Sequence, residues 1–183
     1  MTRTAIVAAA RHLFATHGFA GTSTTEVVEA AGVTRGALYH HFEDKSALFR
    51  EVFADLTREL DATVTAAALG GRDVLDGFRR GCRALLDFAV RPDYHQIAVV
   101  DAPSVLGSET WHAIDAGTGL DTMTGGLAAL ERAGLLRMPA GPALAVLVYG
   151  ALTEAGIVLS RAAPGAPTRD ELVDAVVGMV CAV

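Results

Sequence analysis

Apolar residues recur along the chain at steps of three and four. Ile6, Ala9, Ala10, Leu13 and Phe14 mark the buried face of a first helix. Gly18 follows as a stop able to adopt the left-handed conformation, and Phe19 is placed to fold back onto the helix just ended. In the polar link from Gly21 to Thr25, Ser23 stands three residues before Glu26, the spacing of a capping box. Val27, Val28, Ala30 and Ala31 then give a second helix its apolar side, and Gly32 ends it within a few residues. Thr34 caps a third helix carrying Leu38, Tyr39 and Phe42. Asp44 caps a fourth, with Leu48, Phe49, Val52, Phe53, Leu56, Leu60 and Val64 on one face.

Longer helices are predicted near 72–91, 93–102, 108–134, 141–162 and 169–182. Gly70-Gly71, Arg91-Pro92, Gly107, Pro139 and Ala163-Pro164-Gly165-Ala166-Pro167 punctuate them. No stretch alternates with a period of two, so the fold class is all-α, with about nine helices in total. Phe78, Cys82, Leu85, Phe88, Trp111, Met123, Leu127 and Tyr149 recur at helical spacing and read first as core. Two late stripes are broader. Leu144, Leu147, Val148, Ala151, Leu152, Ala155, Val158 and Leu159 form one, and Leu172, Val173, Val176, Val177 and Val180 the other. So much apolar surface at the chain's end calls for a partner.

Composition narrows the classes. Hydrophobic residues at 51% against 20% charged provide for a buried core, and a net charge of −6 excludes a polycation. The charge is uneven: residues 1–50 carry Arg3, Arg11, Arg35, Lys45 and Arg50 against Glu26, Glu29, Glu43 and Asp44, a net of +1, which leaves −7 for the remainder. Cys82 and Cys181 are far apart in sequence, with no CxxC pair, which suits a reducing, cytoplasmic setting rather than a disulfide framework or a zinc site. The apolar run Ala5–Ala10 is too short for a signal core, and Met138–Thr153 falls below the ~20 residues that span a bilayer, so a soluble chain with no membrane partner is expected.

The chemistry concentrates between Phe19 and Leu48. Two short helices meet across Ala30-Ala31-Gly32-Val33-Thr34, where small residues permit the steep crossing of a helix-turn-helix. The helix that follows exposes Thr34, Arg35, Ala37, His40 and His41 while Leu38 and Phe42 point inward. A short helix offering small and cationic side chains suits a major groove about 12 Å wide. Adjacent His40 and His41 point about 100° apart on a helix and have no third ligand, so metal binding is not expected. His95, Asp101, Cys82, His112 and Asp115 fall into no nucleophile elbow, zinc-protease helix or phosphate loop, so no catalytic role and no cofactor is expected.

From Phe19 through Leu38-Tyr39, His41-Phe42 and Lys45 to Leu48, the segment closely resembles the DNA-binding part of TetR-family transcriptional regulators, the match covering roughly residues 3–50. Val28 stands where that family usually carries alanine. The resemblance implies a DNA-binding domain over 1–47 and an effector-binding and dimerisation domain over 48–183. It implies that Arg35 reads a base and that Thr34, Gly36 and Ala37 lie at base edges. Tyr39, His40, Thr24, Thr25 and Lys45, the chain's one lysine, would hold phosphates. It further implies a homodimer built by the two late stripes, a palindromic double-stranded operator, and a small apolar or amphipathic effector that releases a repressor. Phe78, Cys82, Leu85, Phe88, His95, Asp101, Trp111, Met123, Leu127, Tyr149 and Glu154 are the candidates for lining its pocket. The alternative is a helical small-molecule-binding protein that no longer reads DNA.

Overall fold

Local capping signals set the helix boundaries. In the computed structural model, which describes residues 2–161 and 164–182 apart from the Thr118 side chain, α1 runs Thr2–Gly21 but breaks at Gly18 (φ 72°, ψ 169°). α2 (Thr24–Ala31) starts at the Ser23–Glu26 capping box and ends on left-handed Gly32 (φ 63°). The Ser23 amide holds the Glu26 carboxyl below its ordinary range. α3 (Arg35–His41) is capped by the Thr34 hydroxyl, which accepts from the Ala37 amide at 3.2 Å. α4 (Lys45–Leu69) starts where Asp44 accepts from the Ala47 amide at 2.7 Å.

α5 (Val74–Ala89) is followed by a helical run that the sequence pattern read as one element. It resolves into α6 (Pro92–Tyr94), a π-helical segment (His95–Asp101) and α7 (Ala102–Leu106). This raises the expected nine helices to ten α-helices among the described residues. Side-chain periodicity over seven residues does not distinguish the π from the α register, which explains the difference. α8 (Ser108–Arg132), α9 (Pro142–Ser160) and α10 (Arg169–Val180) complete the chain. The Ala163 part of the expected linker, and residue 162 of the predicted helix 141–162, lie outside the described residues. Among the described residues there is no strand, only an isolated antiparallel bridge between Leu136 and Cys181.

The chain forms two compact units, divided differently from a cut at residue 47. The first comprises the residues up to Thr57 together with Pro92–Asp115. Its centre is Ile6, Ala10, Phe14, Leu38, Phe49 and Phe53, all fully buried. The Phe19 ring folds back as the sequence predicts, 5.2 Å from Phe49 and 5.8 Å from Phe14; such aromatic pairs add about 0.5–1.5 kcal/mol each beyond their buried area. α1 also packs on α6 and the π segment, joined by an Arg11–Asp93 ion pair at 2.7 Å. Three short helices alone bury too little surface, so the module takes in a later segment.

The second unit holds Arg58–Arg91 and the residues from Ala116 on. α5, α9 and α10 pack against one another around Leu86, Leu127, Leu130, Leu152, Val173 and Val177, with α8 supplying Leu127 and Leu130. At the start of α5 the Arg72 amide, then the Arg80 guanidinium, hold the Asp76 carboxyl down at about 2. Arg83 pairs with Asp170 at 2.9 Å, and Arg79–Asp174 and Arg169–Asp87 add two further links between α5 and α10. These pairs are half exposed, so they orient α10 more than they stabilise it.

Candidate nucleic-acid interface

α3 presents the chemistry expected of a reading helix. Leu38 is fully buried and Phe42 nearly so, which anchors one face and turns Arg35, Gly36, Tyr39, His40 and His41 to the surface. Ala37 is half-buried and Thr34 exposed, although the Thr34 oxygen already serves as the helix cap. The Arg35 guanidinium lies over the Tyr39 ring, 5.5 Å from its centroid. The Tyr39 hydroxyl stands 3.5 Å from Thr24 Oγ1 at the start of α2, and this contact, then Arg35, lowers the Tyr39 phenol. Thr24, Tyr39 and Arg35 are thus one connected surface spanning both helices of the helix-turn-helix. Thr25 beside them is exposed.

Gly36 is the second residue of α3, and a Cβ there would meet only Thr34 Oγ1, at 4.0 Å, so the chain's own packing does not call for glycine at this position.

Lys45 has a different placement from the one the resemblance implied. Its Nζ donates to the Phe19 and Thr22 carbonyl oxygens at 2.8 and 2.9 Å and sits 4.1 Å from the Phe19 ring centroid. An ammonium has three donors, and two are spent on carbonyls around the end of α1. Lys45 therefore ties α4 to the end of α1 and keeps one donor for another acceptor.

Residues 6–52 match the family model for bacterial regulatory proteins of the tetR family, and residues 75–183 match a tetracyclin repressor-like C-terminal domain. The chain belongs to the TetR family. A crystal structure of a TetR-family transcriptional regulator from Pectobacterium atrosepticum is 32% identical, covers 97% of this chain and 89% of that one, and superposes with a TM-score of 0.77. A tetR-family regulatory protein from Rhodococcus, 22% identical over 100% of this chain and 99% of that one with a TM-score of 0.70, shares the fold. The HTH-type transcriptional regulator AcrR of Shigella flexneri is 52% identical over 52 residues, which are 28% of this chain and 24% of that protein. The repressor AcnR of Corynebacterium jeikeium is 40% identical over 55 residues, 30% of this chain and 29% of that protein. The chain thus matches less than a third of the length of these two relatives.

In this TetR-family chain the candidate pocket residues are divided between the two units. Phe78, Cys82, Met123 and Leu127 are buried in the core of the second unit, with Leu85 and Tyr149 packed against it. The Tyr149 ring fills the space beside Gly119, where a Cβ would come within 2.5 Å. Burial, reinforced by neighbouring Cys181, pushes the Cys82 thiol up to about 12, as for an unreactive core cysteine. Phe88 is buried beneath the Arg91 guanidinium, 4.2 Å from its ring. Glu154 is exposed on α9. The other three belong to the first unit. Trp111 Nε1 donates to the Ala98 carbonyl at 3.1 Å, and Asp101 accepts from the Phe19 amide at 2.8 Å, so both polar groups are committed to the fold. His95 differs, because its Nδ1 is buried without a hydrogen-bond partner.

The expected dimer stripes also need correction. Leu144, Val148, Leu152, Ala155, Val173, Val176, Val177 and Val180 are buried in the chain's own core, and Leu159 and Leu172 pack against it. Ala151 and Val158 are half-buried, and Leu147 alone of the predicted set is exposed, at 71%. α9 is apolar along most of its surface, broken by Thr153 and Glu154, and by length and composition it would even pass as a membrane span. Periodicity alone therefore could not say which side faces inward. On α9 Val146 and Leu147 are exposed together with small Ala143 and Gly150, and on α10 Met179 is exposed together with Ala175 and Gly178.

Proposed function

We propose that this protein is a cytoplasmic, homodimeric DNA-binding transcriptional repressor that reads a palindromic operator and is released by a small apolar or amphipathic effector. The observation that carries the reading is a capped helix-turn-helix on which half-buried Thr24 and exposed Tyr39 and Arg35 are linked, with Gly36 and His40 exposed on the same short helix. Arg35 supplies a planar fork for guanine O6 and N7. Thr34 and Ala37 offer a hydroxyl and a methyl to base edges, and Gly36 lets the backbone close on the groove. Tyr39, His40, Thr24 and Thr25 reach phosphates, helped by the amides at the start of α2. The chain has no asparagine, and its one glutamine is Gln96, so no amide in the reading helix addresses adenine. Specificity then rests on Arg35, methyl contacts and DNA shape.

The helical body supports the remaining parts. Val146, Leu147 and Met179 form the face for a second copy, and the small residues beside them let two helices approach closely. His95 Nδ1 is the polar atom left for an effector to satisfy. The repressor names of relatives such as AcnR fit the direction of control. Selection of tight-binding duplexes from a random pool tests the whole reading. It is expected to return an inverted repeat whose half-sites lie one helical turn apart, about 34–36 Å. A pool that shows no enrichment, or a single unrepeated half-site, contradicts it.

A further inference from the structure

The break in α1 is held from two sides by opposite charges. At Gly18 the chain leaves the helix, and the Phe19 amide donates to Asp101 Oδ2 at 2.8 Å across 82 residues of sequence. The carbonyl of the same residue accepts from Lys45 Nζ at 2.8 Å. Gln96 Nε2 donates to the same Asp101 oxygen at 3.2 Å, and a Cβ on Gly18 would lie 3.3 Å from that nitrogen and 3.5 Å from that oxygen. Asp101 begins α7 yet makes no side-chain cap on it, so its carboxylate is turned away from its own helix and onto the α1 break. On the other flank, buried Thr22 donates to the Gly18 carbonyl at 2.9 Å and accepts at its own carbonyl from Lys45 at 2.9 Å. One residue further on, Ser23 caps α2.

We propose that Asp101 is a positioning residue for operator reading: with Lys45 it fixes the Phe19–Thr22 link, and that link sets where α2 begins and how the helix-turn-helix is presented. The proposal rests on the operator-binding reading above. Asp101 touches no base or phosphate in this scheme; it acts through the Phe19 peptide. A carboxylate–amide hydrogen bond is charge-assisted and directional, so its loss frees the link without removing core packing.

Asp101→Asn distinguishes this from a passive role by sign. Fluorescence anisotropy compares wild type and variant on a duplex selected by the wild-type protein and on its shuffled counterpart. Deleting a negative charge favours phosphate contacts, so electrostatics alone gives equal or tighter binding to both duplexes. Positioning gives about tenfold weaker binding to the selected duplex, the size of one charge-assisted hydrogen bond, with the shuffled duplex held equally or more tightly. In the same variant the Phe19 amide proton exchanges faster while the α5 and α9 amides keep their protection. Gln96→Met, which leaves the carboxylate in place, weakens selected binding about threefold, in keeping with one neutral donor, and reports the same coupling if the Asn variant does not fold. Unchanged or tighter binding of the folded variants to the selected duplex overturns the proposal and leaves the DNA reading standing. A wild-type protein that does not distinguish the two duplexes overturns both.

Discussion

Alanine in place of Arg35 is expected to abolish most of the preference for operator over shuffled DNA while leaving the fold intact. The side chain is exposed and its internal contact is with the Tyr39 ring, so the core of Leu38 and Phe42 is untouched. Loss of one bidentate guanine contact costs about 1–3 kcal/mol. Two half-sites in a dimer double this to about 2–6 kcal/mol, a weakening of between roughly thirtyfold and twenty-thousandfold. The salt dependence should stay near that of the wild type, because a base contact releases no phosphate counterion. Anisotropy titrations at two salt concentrations separate the cases. Equal weakening on operator and shuffled DNA, with a shallower salt slope, would make Arg35 a phosphate contact and move base reading elsewhere.

The second large effect concerns the outward face of α9. Leu147→Glu changes a side chain that is 71% exposed in the single chain, so the monomer is expected to fold and melt nearly as the wild type does. Sedimentation should then show monomer where the wild type shows dimer, and operator affinity should fall by about two orders of magnitude or more as the avidity of paired half-sites disappears. Leu152→Glu, five residues along the same helix, should behave differently. Leu152 is fully buried, and an unpaired carboxylate there destabilises the chain itself. A Leu147→Glu protein that stays dimeric would place the interface on another surface. A Leu152→Glu protein that stays folded would contradict the assignment of that side to the core.

The contrast between those two leucines shows how far the sequence could be read. Ser23, Gly32, Thr34 and Asp44 announce their roles within three or four residues, because a cap is a local hydrogen bond, and each is found where the pattern puts it. Leu38 and Phe42 are likewise separable from Arg35 and His40, since α3 is amphipathic. α9 offers little such contrast, so its periodicity predicts a partner's interface for residues that the chain's own core takes up. The Asp101–Phe19 contact spans 82 residues and starts from the end of a π-helical turn, neither of which leaves a periodic trace. Lys45 was legible as a cation near the start of a helix. Its bonds to the Phe19 and Thr22 carbonyls, 26 and 23 residues away in sequence, are tertiary contacts that no local pattern shows.

The modest charge of the reading module gives the central claim a quantitative edge. A net of +1 over residues 1–50 cannot support strong indiscriminate binding to a polyanion, so tight binding must come from specific contacts and pairing of half-sites. The most direct measurement is anisotropy of the purified protein on the DNA upstream of its own gene at near-physiological salt, with shuffled duplex as competitor. The expected result is binding in the range of about 10⁻⁸ M or tighter that survives a hundredfold excess of shuffled DNA, on the order of the discrimination that operator-reading proteins show. Binding to that DNA and to a selected duplex that the competitor removes in simple proportion to its concentration would contradict the account.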